Sequence, residues 1–307
     1  MRQAVLNWRI KLETARDKEL RRSSLKGKKA VFAQITSAMT RAILMAVLVA
    51  TPALVLPDIT SDAQQFAFIC TFFAAALVFI EYFSAYPSIL EFRFAPPFNR
   101  IRFATVFFSV FTLSSAFTFG TSSNLANGVM HALASVLGNM TDVPYSPVRL
   151  VLLTLPAHAD GEAFSYVRMA AGVSYMTSIL SLVLFYFFVR VLDWPTRNGA
   201  FNVWVNLPLF DPTAGGDVLP RLIRDGRVNI VLGFLLPFIF PALVELTSGS
   251  LGPALWSDPQ TLIWTMTIWA FFPASMVMRG IAMLRVANMI DQDRRRAYAE
   301  AQNLQHI

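Results

Sequence analysis

Residues 190–227 read RVLDWPTRNGAFNVWVNLPLFDPTAGGDVLPRLIRDGR, from Arg190 to Arg227. This is the longest polar and basic connection in the chain, and it joins two of its best-defined apolar segments, about 169–191 and 228–247. Working outward, four more such segments lie at about 38–57, 66–86, 103–121 and 261–283. Each is long and apolar enough to cross a hydrocarbon layer roughly 30 Å thick. Lipid offers the backbone no hydrogen-bonding partner, so the spans must be helices. The expected fold is an all-α polytopic membrane protein with about six transmembrane helices.

Composition agrees. The 307 residues are 55% hydrophobic and 15% charged, against the roughly 25% charge of a soluble domain. The single cysteine, Cys70, lies in an apolar run, which excludes a disulfide framework and a thiolate metal cluster. The first 30 residues are charged throughout and lack an apolar core segment, so they do not read as a signal peptide.

Charge gives the expected threading. Of 26 Lys and Arg, 24 fall on one side if the N-terminus is cytosolic; only Arg149 and Arg168 fall outside. That asymmetry predicts N-in and C-in with six crossings. It also accounts for the net charge of +7 without any binding of nucleic acid. The expected division is a cytosolic basic amphipathic segment over 1–37, a six-helix transmembrane domain over 38–283 and a cytosolic helical tail over 284–307. The domain carries a long external loop at 122–168 and the long cytosolic loop at 190–227.

Within residues 2–30, Val5, Trp8, Leu12 and Ala15 recur at helical spacing among ten Lys and Arg. This pattern suits a helix lying on an anionic membrane surface, with Trp8 in the headgroup zone. The cytosolic stretch 87–102 alternates aromatic and basic residues before Pro96 and Pro97, which predicts an interfacial turn with Phe in the headgroups and Arg at the phosphates. The 122–168 loop holds apolar pieces too short to span, suggesting a re-entrant or interfacial hairpin. Asn139-Met140-Thr141 matches a glycosylation sequon by chance, since nothing else indicates a secretory protein.

Little in the chain suggests catalysis. His131, His158 and His306 lie outside the spans, where they read as solvated loop residues, so no haem or other cofactor, metal centre or proton relay is expected at helix depth. Neither a nucleophile elbow nor a glycine-rich phosphate loop occurs. Ala170, Ser174 and Ser178 instead give one helix a face of small residues for close packing. No catalytic or metal-binding residue is assigned.

The ionisable residues at membrane depth are the main candidates. Glu81 needs a basic partner, and Arg279 or Arg190 is the expected one by depth, as an ion pair or transport site. Pro237 and Pro241 break backbone bonding in the fifth span and form a candidate hinge; Pro52 and Pro273 interrupt others. Phe201, Trp204, Leu207 and Phe210 are too apolar for a free loop. With Trp8, Arg221, Arg224 and Arg227, Trp204 forms a candidate surface for lipid phosphates or a partner.

The expected function is non-catalytic: an accessory, scaffolding or assembly subunit of a larger membrane complex in a bacterial inner membrane. Its expected partners are anionic cytosolic headgroups and other membrane-protein subunits. The alternative is a small-solute transporter or channel using the Glu81 pair and the proline-kinked helix.

Overall fold

The computed structural model describes residues 31–57, 59–85, 88–119, 124–156, 160–195, 206–210, 216–247 and 258–305. The expected surface helix with Trp8, the loop residues Phe201 and Trp204, and both His158 and His306 lie outside them.

The described residues form helices without strands: α1 (Val31–Val55), α2 (Ser61–Phe83), α3 (Phe98–Phe117), α4 (Leu125–Thr141), α5 (Pro147–Leu153), α6 (Gly161–Val191), α7 (Val218–Thr247) and α8 (Pro259–Gln305). Polar side chains set several starts by accepting a first-turn amide. Asn124 Oδ1 accepts from Ala126 N at 3.0 Å, Ser146 Oγ from Arg149 N at 3.0 Å and Asp160 Oδ1 from Ala163 N at 2.7 Å. These caps carry helices beyond the apolar windows, which is why α6 begins at Gly161 rather than near 169.

Among the described residues five helices are long and apolar enough to cross a membrane, α1, α2, α6, α7 and α8, as in a helical membrane protein. Helix α3, the third of the expected segments, is not among these five. Helix α3 opens with Arg100 and Arg102 and carries Thr105, Ser109, Thr112, Ser114 and Ser115. Its polarity follows from its place, packed by α4, α6 and α8. From Ser109 to Phe117 only Phe111 is exposed. A helix surrounded by protein need not be apolar enough for lipid.

Two apolar clusters fill the bundle. One gathers Val110, Leu113 and Phe117 of α3 with α4, α5 and the first halves of α6 and α8. The other gathers Phe98, Phe185, Trp194, Leu207 and Met283 at the opposite end. Hydroxyl residues lie between them along the sequence of each helix: Thr105 and Ser109 on α3, Thr177, Ser178 and Ser181 on α6, and Ser275 on α8. Ser109 and Thr177 hydrogen-bond across the α3–α6 contact at 2.6 Å. Thr105 donates to the Ile101 carbonyl of its own helix, and whichever of Ser109 and Thr177 accepts in the pair is free to donate to a carbonyl of its own helix.

Helices α7 and α8 make the most extensive pairing. It runs antiparallel in one register, with Gly226 against Gly280 and Gly233 against Pro273. A Cβ on Gly280 would lie 2.6 Å from Gly226 O, and one on Gly233 would lie 2.5 Å from Pro273 O. Close approach gains dispersion contacts, which matter more in lipid because apolar burial between helices gains little there.

Prolines reinforce the pairing. Pro241 has no N–H, so the Pro237 carbonyl loses its helical donor. The Trp269 indole of α8 donates to that carbonyl at 3.3 Å. Helix α7 thus continues through Pro237 and Pro241, with one freed acceptor satisfied by its neighbour.

Replacing Gly233 with Leu should force the α7–α8 backbones apart and cost about 1–3 kcal/mol. A thermal melt in detergent should place G233L well below wild type, with Gly161→Leu, where a Cβ meets nothing within 4 Å, as the tolerated comparison.

Candidate functional site

The polar groups at membrane depth converge on the end of the bundle that holds the 88–97 loop, the segments at 193–195 and 206–210, and the middle of α8. Glu81 lies in the last turn of α2 and is buried. Its carboxylate accepts the backbone amides of Ser88, Ile89 and Leu90 at 3.1–3.2 Å and the Ser88 hydroxyl. In return Arg93 donates to the carbonyls of Glu81, Ser84 (2.9 Å) and Ala85 (3.2 Å). The exchange satisfies the orphan carbonyls at the end of α2 and places a cation at its negative pole.

Glu81 is therefore not the partner of Arg279 or Arg190. Arg279 pairs with Glu91, with Nε to Oε2 at 2.5 Å and Nη2 to Oε1 at 2.9 Å. A two-pronged geometry of this kind is the strong form of an arginine–carboxylate contact. Arg190 lies exposed in the last turn of α6 and makes no ion pair among the described residues.

The 88–97 loop is in part built into the protein, with Ile89 and Phe94 left exposed. Phe92 and Phe98 are almost fully buried. Trp194 stands among them, with ring centroids 5.5 Å from Phe92, 6.2 Å from Phe98 and 5.1 Å from Phe185. Its indole donates to Ala95 O at 3.1 Å, and its carbonyl accepts Arg285 Nε at 3.1 Å. Phe92 holds φ at 54° and Asp193 at 49°. A non-glycine residue enters that left-handed region only where its surroundings compensate. The Phe92 amide donates to Asn206 O at 2.6 Å, and the Phe94 amide to Asn206 Oδ1 at 3.2 Å.

The described parts of the 190–227 loop join this cluster. Leu207 and Phe210 are buried, as their apolarity implied. The Arg221 guanidinium lies 4.9 Å from the Phe210 ring centroid, and Arg224 meets Asp225 at 3.1 Å. Arg224 and Arg227 are exposed. Beyond the cluster, Asp217 takes two hydrogen bonds from Arg294 of the tail, at 2.8 and 2.9 Å. Those bonds hold the Asp217 carboxyl down at about 2.

At the opposite end, His131 is a packed residue rather than a solvated one. Its ring stacks on Phe119 at 5.1 Å, and Nδ1 lies 3.3 Å from Ala116 O. The Thr141 hydroxyl of the sequon bonds to the Leu137 carbonyl inside α4. No group of three His, Cys, Asp or Glu is arranged for a metal among the described residues.

A cavity of about 920 Å³ separates α2 from α7 and α8. Small residues of α2 (Ala63, Ala67, Cys70 and Ala74) form one wall. Phe240, Trp264, Trp269 and Phe272 stand opposite. Hydropathy alone could not reveal it, because a gap depends on which helices face each other.

Glu91, Arg93, Trp194 and Asn206 are the residues that sequence reasoning did not assign to a site. The available signal was Glu91 as the one acid of the 87–102 stretch, beside Arg93, Arg100 and Arg102.

Removing Arg279 leaves the buried Glu91 carboxylate without its counter-ion. R279A should destabilise by about 3 kcal/mol, and Glu91→Gln in the same chain should recover much of the loss in a detergent melt. Asp217 has a folded value below its ordinary 3.8, so its stabilising contact is present at neutral pH and is lost as pH falls from about 4 through about 2. Paired spin labels on α7 and the tail should separate in that window, and Asp217→Asn should remove the step. Compared with known protein families, characterised proteins and solved structures, the chain matches none of them.

Proposed function

We propose that this chain is a non-catalytic accessory or scaffolding subunit of a larger membrane complex. The observation that carries the reading is the surface of α2. Only Ala67, Val78 and Glu81 are buried in its 23 residues, while Phe66, Phe72, Phe73 and Ile80 are each more than 60% exposed. The same helix is held at its C-terminal end. Gln34 of α1 donates to Phe83 O at 2.6 Å, and the Glu81–Arg93 exchange grips the last turn. A helix held at one end and presenting exposed aromatic rings suits docking by shape, the main source of helix association in lipid.

The disposition of charge supports six crossings with both ends cytosolic, in a bacterial inner membrane. Arg41, Arg93, Arg221, Arg279, Arg285 and Arg294 all make their contacts at one end of the bundle. On this reading α3 crosses while sheltered by protein, and the exposed Arg224 and Arg227 meet anionic headgroups. The transporter alternative draws less support, because each oxygen of Glu81 is already engaged by loop donors.

Extraction in native lipid followed by weighing the intact particle tests the proposal. The expected result is a particle heavier than one chain with a stoichiometric foreign subunit, released when Phe72 and Phe73 are changed to Ala. A lone monomer or homo-oligomer overturns it. Uptake into vesicles that is lost in a folded E81Q chain overturns it in favour of transport.

A further inference from the structure

The cavity beside α2 has the dimensions and polarity of a lipid seat. Its polar end lies at the start of α8, with Asp258, Gln260 and Thr261, and includes Ala63 in the first turn of α2. Its far end is reached at Ala74 and Pro273. The helical rise from Ala63 to Ala74 is roughly 16 Å, about half of a hydrocarbon core roughly 30 Å thick. That is the depth of one leaflet, the reach of one acyl chain. The walls along it are apolar, with small α2 residues facing aromatic rings.

The mouth selects a type of headgroup. Gln260 Oε1 is buried with no hydrogen-bond partner among the described residues, and an acceptor in that position calls for a donor. Asp258 uses Oδ2 to accept from the amide and hydroxyl of Thr261, both at 2.7 Å, and is in no ion pair among the described residues. No Lys or Arg lines the cavity. A purely anionic headgroup finds no counter-charge there, whereas an ammonium group finds a carboxylate and an amide oxygen. We propose that the cavity binds a phospholipid bearing a primary ammonium headgroup, of the ethanolamine type, with one acyl chain lying between α2 and the α7–α8 pair.

The test uses the full chain in nanodiscs of equal ethanolamine, glycerol and choline phospholipid, transferred to detergent and weighed by native mass spectrometry. The expected result is one retained ethanolamine lipid, favoured over the glycerol lipid by about tenfold, as for one hydrogen bond to a charged group. Asp258→Asn with Gln260→Leu should reduce that preference to near unity. Cys70→Phe should fill the slot and remove the retained lipid of every class. The native Cys70 thiol provides a readout independent of folding variants, since it should react more slowly with a maleimide when the lipid is present. No retained lipid, equal retention of the glycerol lipid, retention that survives C70F in a folded chain, or equal Cys70 reactivity with and without lipid would each overturn the proposal.

Discussion

The contact on which most of one end of this protein depends is the Glu91–Arg279 pair. It joins a loop without regular secondary structure to the middle of the longest helix. A charge removed from water is tolerated only with a partner and with its other valences satisfied. Arg279 meets the need by engaging both carboxylate oxygens. The loop that carries Glu91 is itself held, by Asn99 donating to the Glu91 main-chain carbonyl at 2.8 Å and by anchors at Glu81, Asn206 and Trp194. The aromatic cluster follows from this anchoring, because a loop held at that depth must turn Phe92 inward.

The opposite end is organised differently. Its contacts are mostly apolar, and proximity between backbones carries the packing. Gly138 and Gly172 bring α4 against α6 so closely that a Cβ on Gly172 would fall 2.4 Å from the Gly138 Cα. The hydroxyl residues between the two clusters let α3 be both central and polar. Their side chains bond mostly to carbonyls of their own helices, so they add little directional glue between helices. Ser109 with Thr177, and Ser181 on Met278 Sδ of α8, are the exceptions.

Much of this architecture was legible in the sequence because hydropathy is a local property. The spans ending at Val55, Phe83 and Val191 and the long C-terminal helix all follow from runs that lipid requires. What was not legible depends on pairings distant in sequence. Glu91 and Arg279 are 188 positions apart, and depth alone assigned Arg279 to the wrong acid. Glu81 was recognised as needing a partner, but loop amides satisfy it, and amides leave no mark in a composition. Phe92 and Phe94 were read together as headgroup residues, yet only Phe94 is exposed, because an aromatic-basic alternation looks the same whether its rings face outward or a buried tryptophan. The small residues at Ala170, Ser174 and Ser178 were read from spacing, which records packing directly; all three are buried.

Helix α8 runs unbroken for 47 residues through Pro273. Packing holds it well past that proline, as far as Ala287, and the part beyond extends for roughly 27 Å, which makes it a lever whose other arm lies inside the bundle. A bend of 10° beyond Ala287 would move the far end by roughly 5 Å by this geometry. One exposed contact braces the projecting arm against such a swing, Arg294 on Asp217. Displacements too small to disturb the packing of the α7–α8 pair are thus amplified where the tail leaves it, and a surface ion pair governs the amplitude.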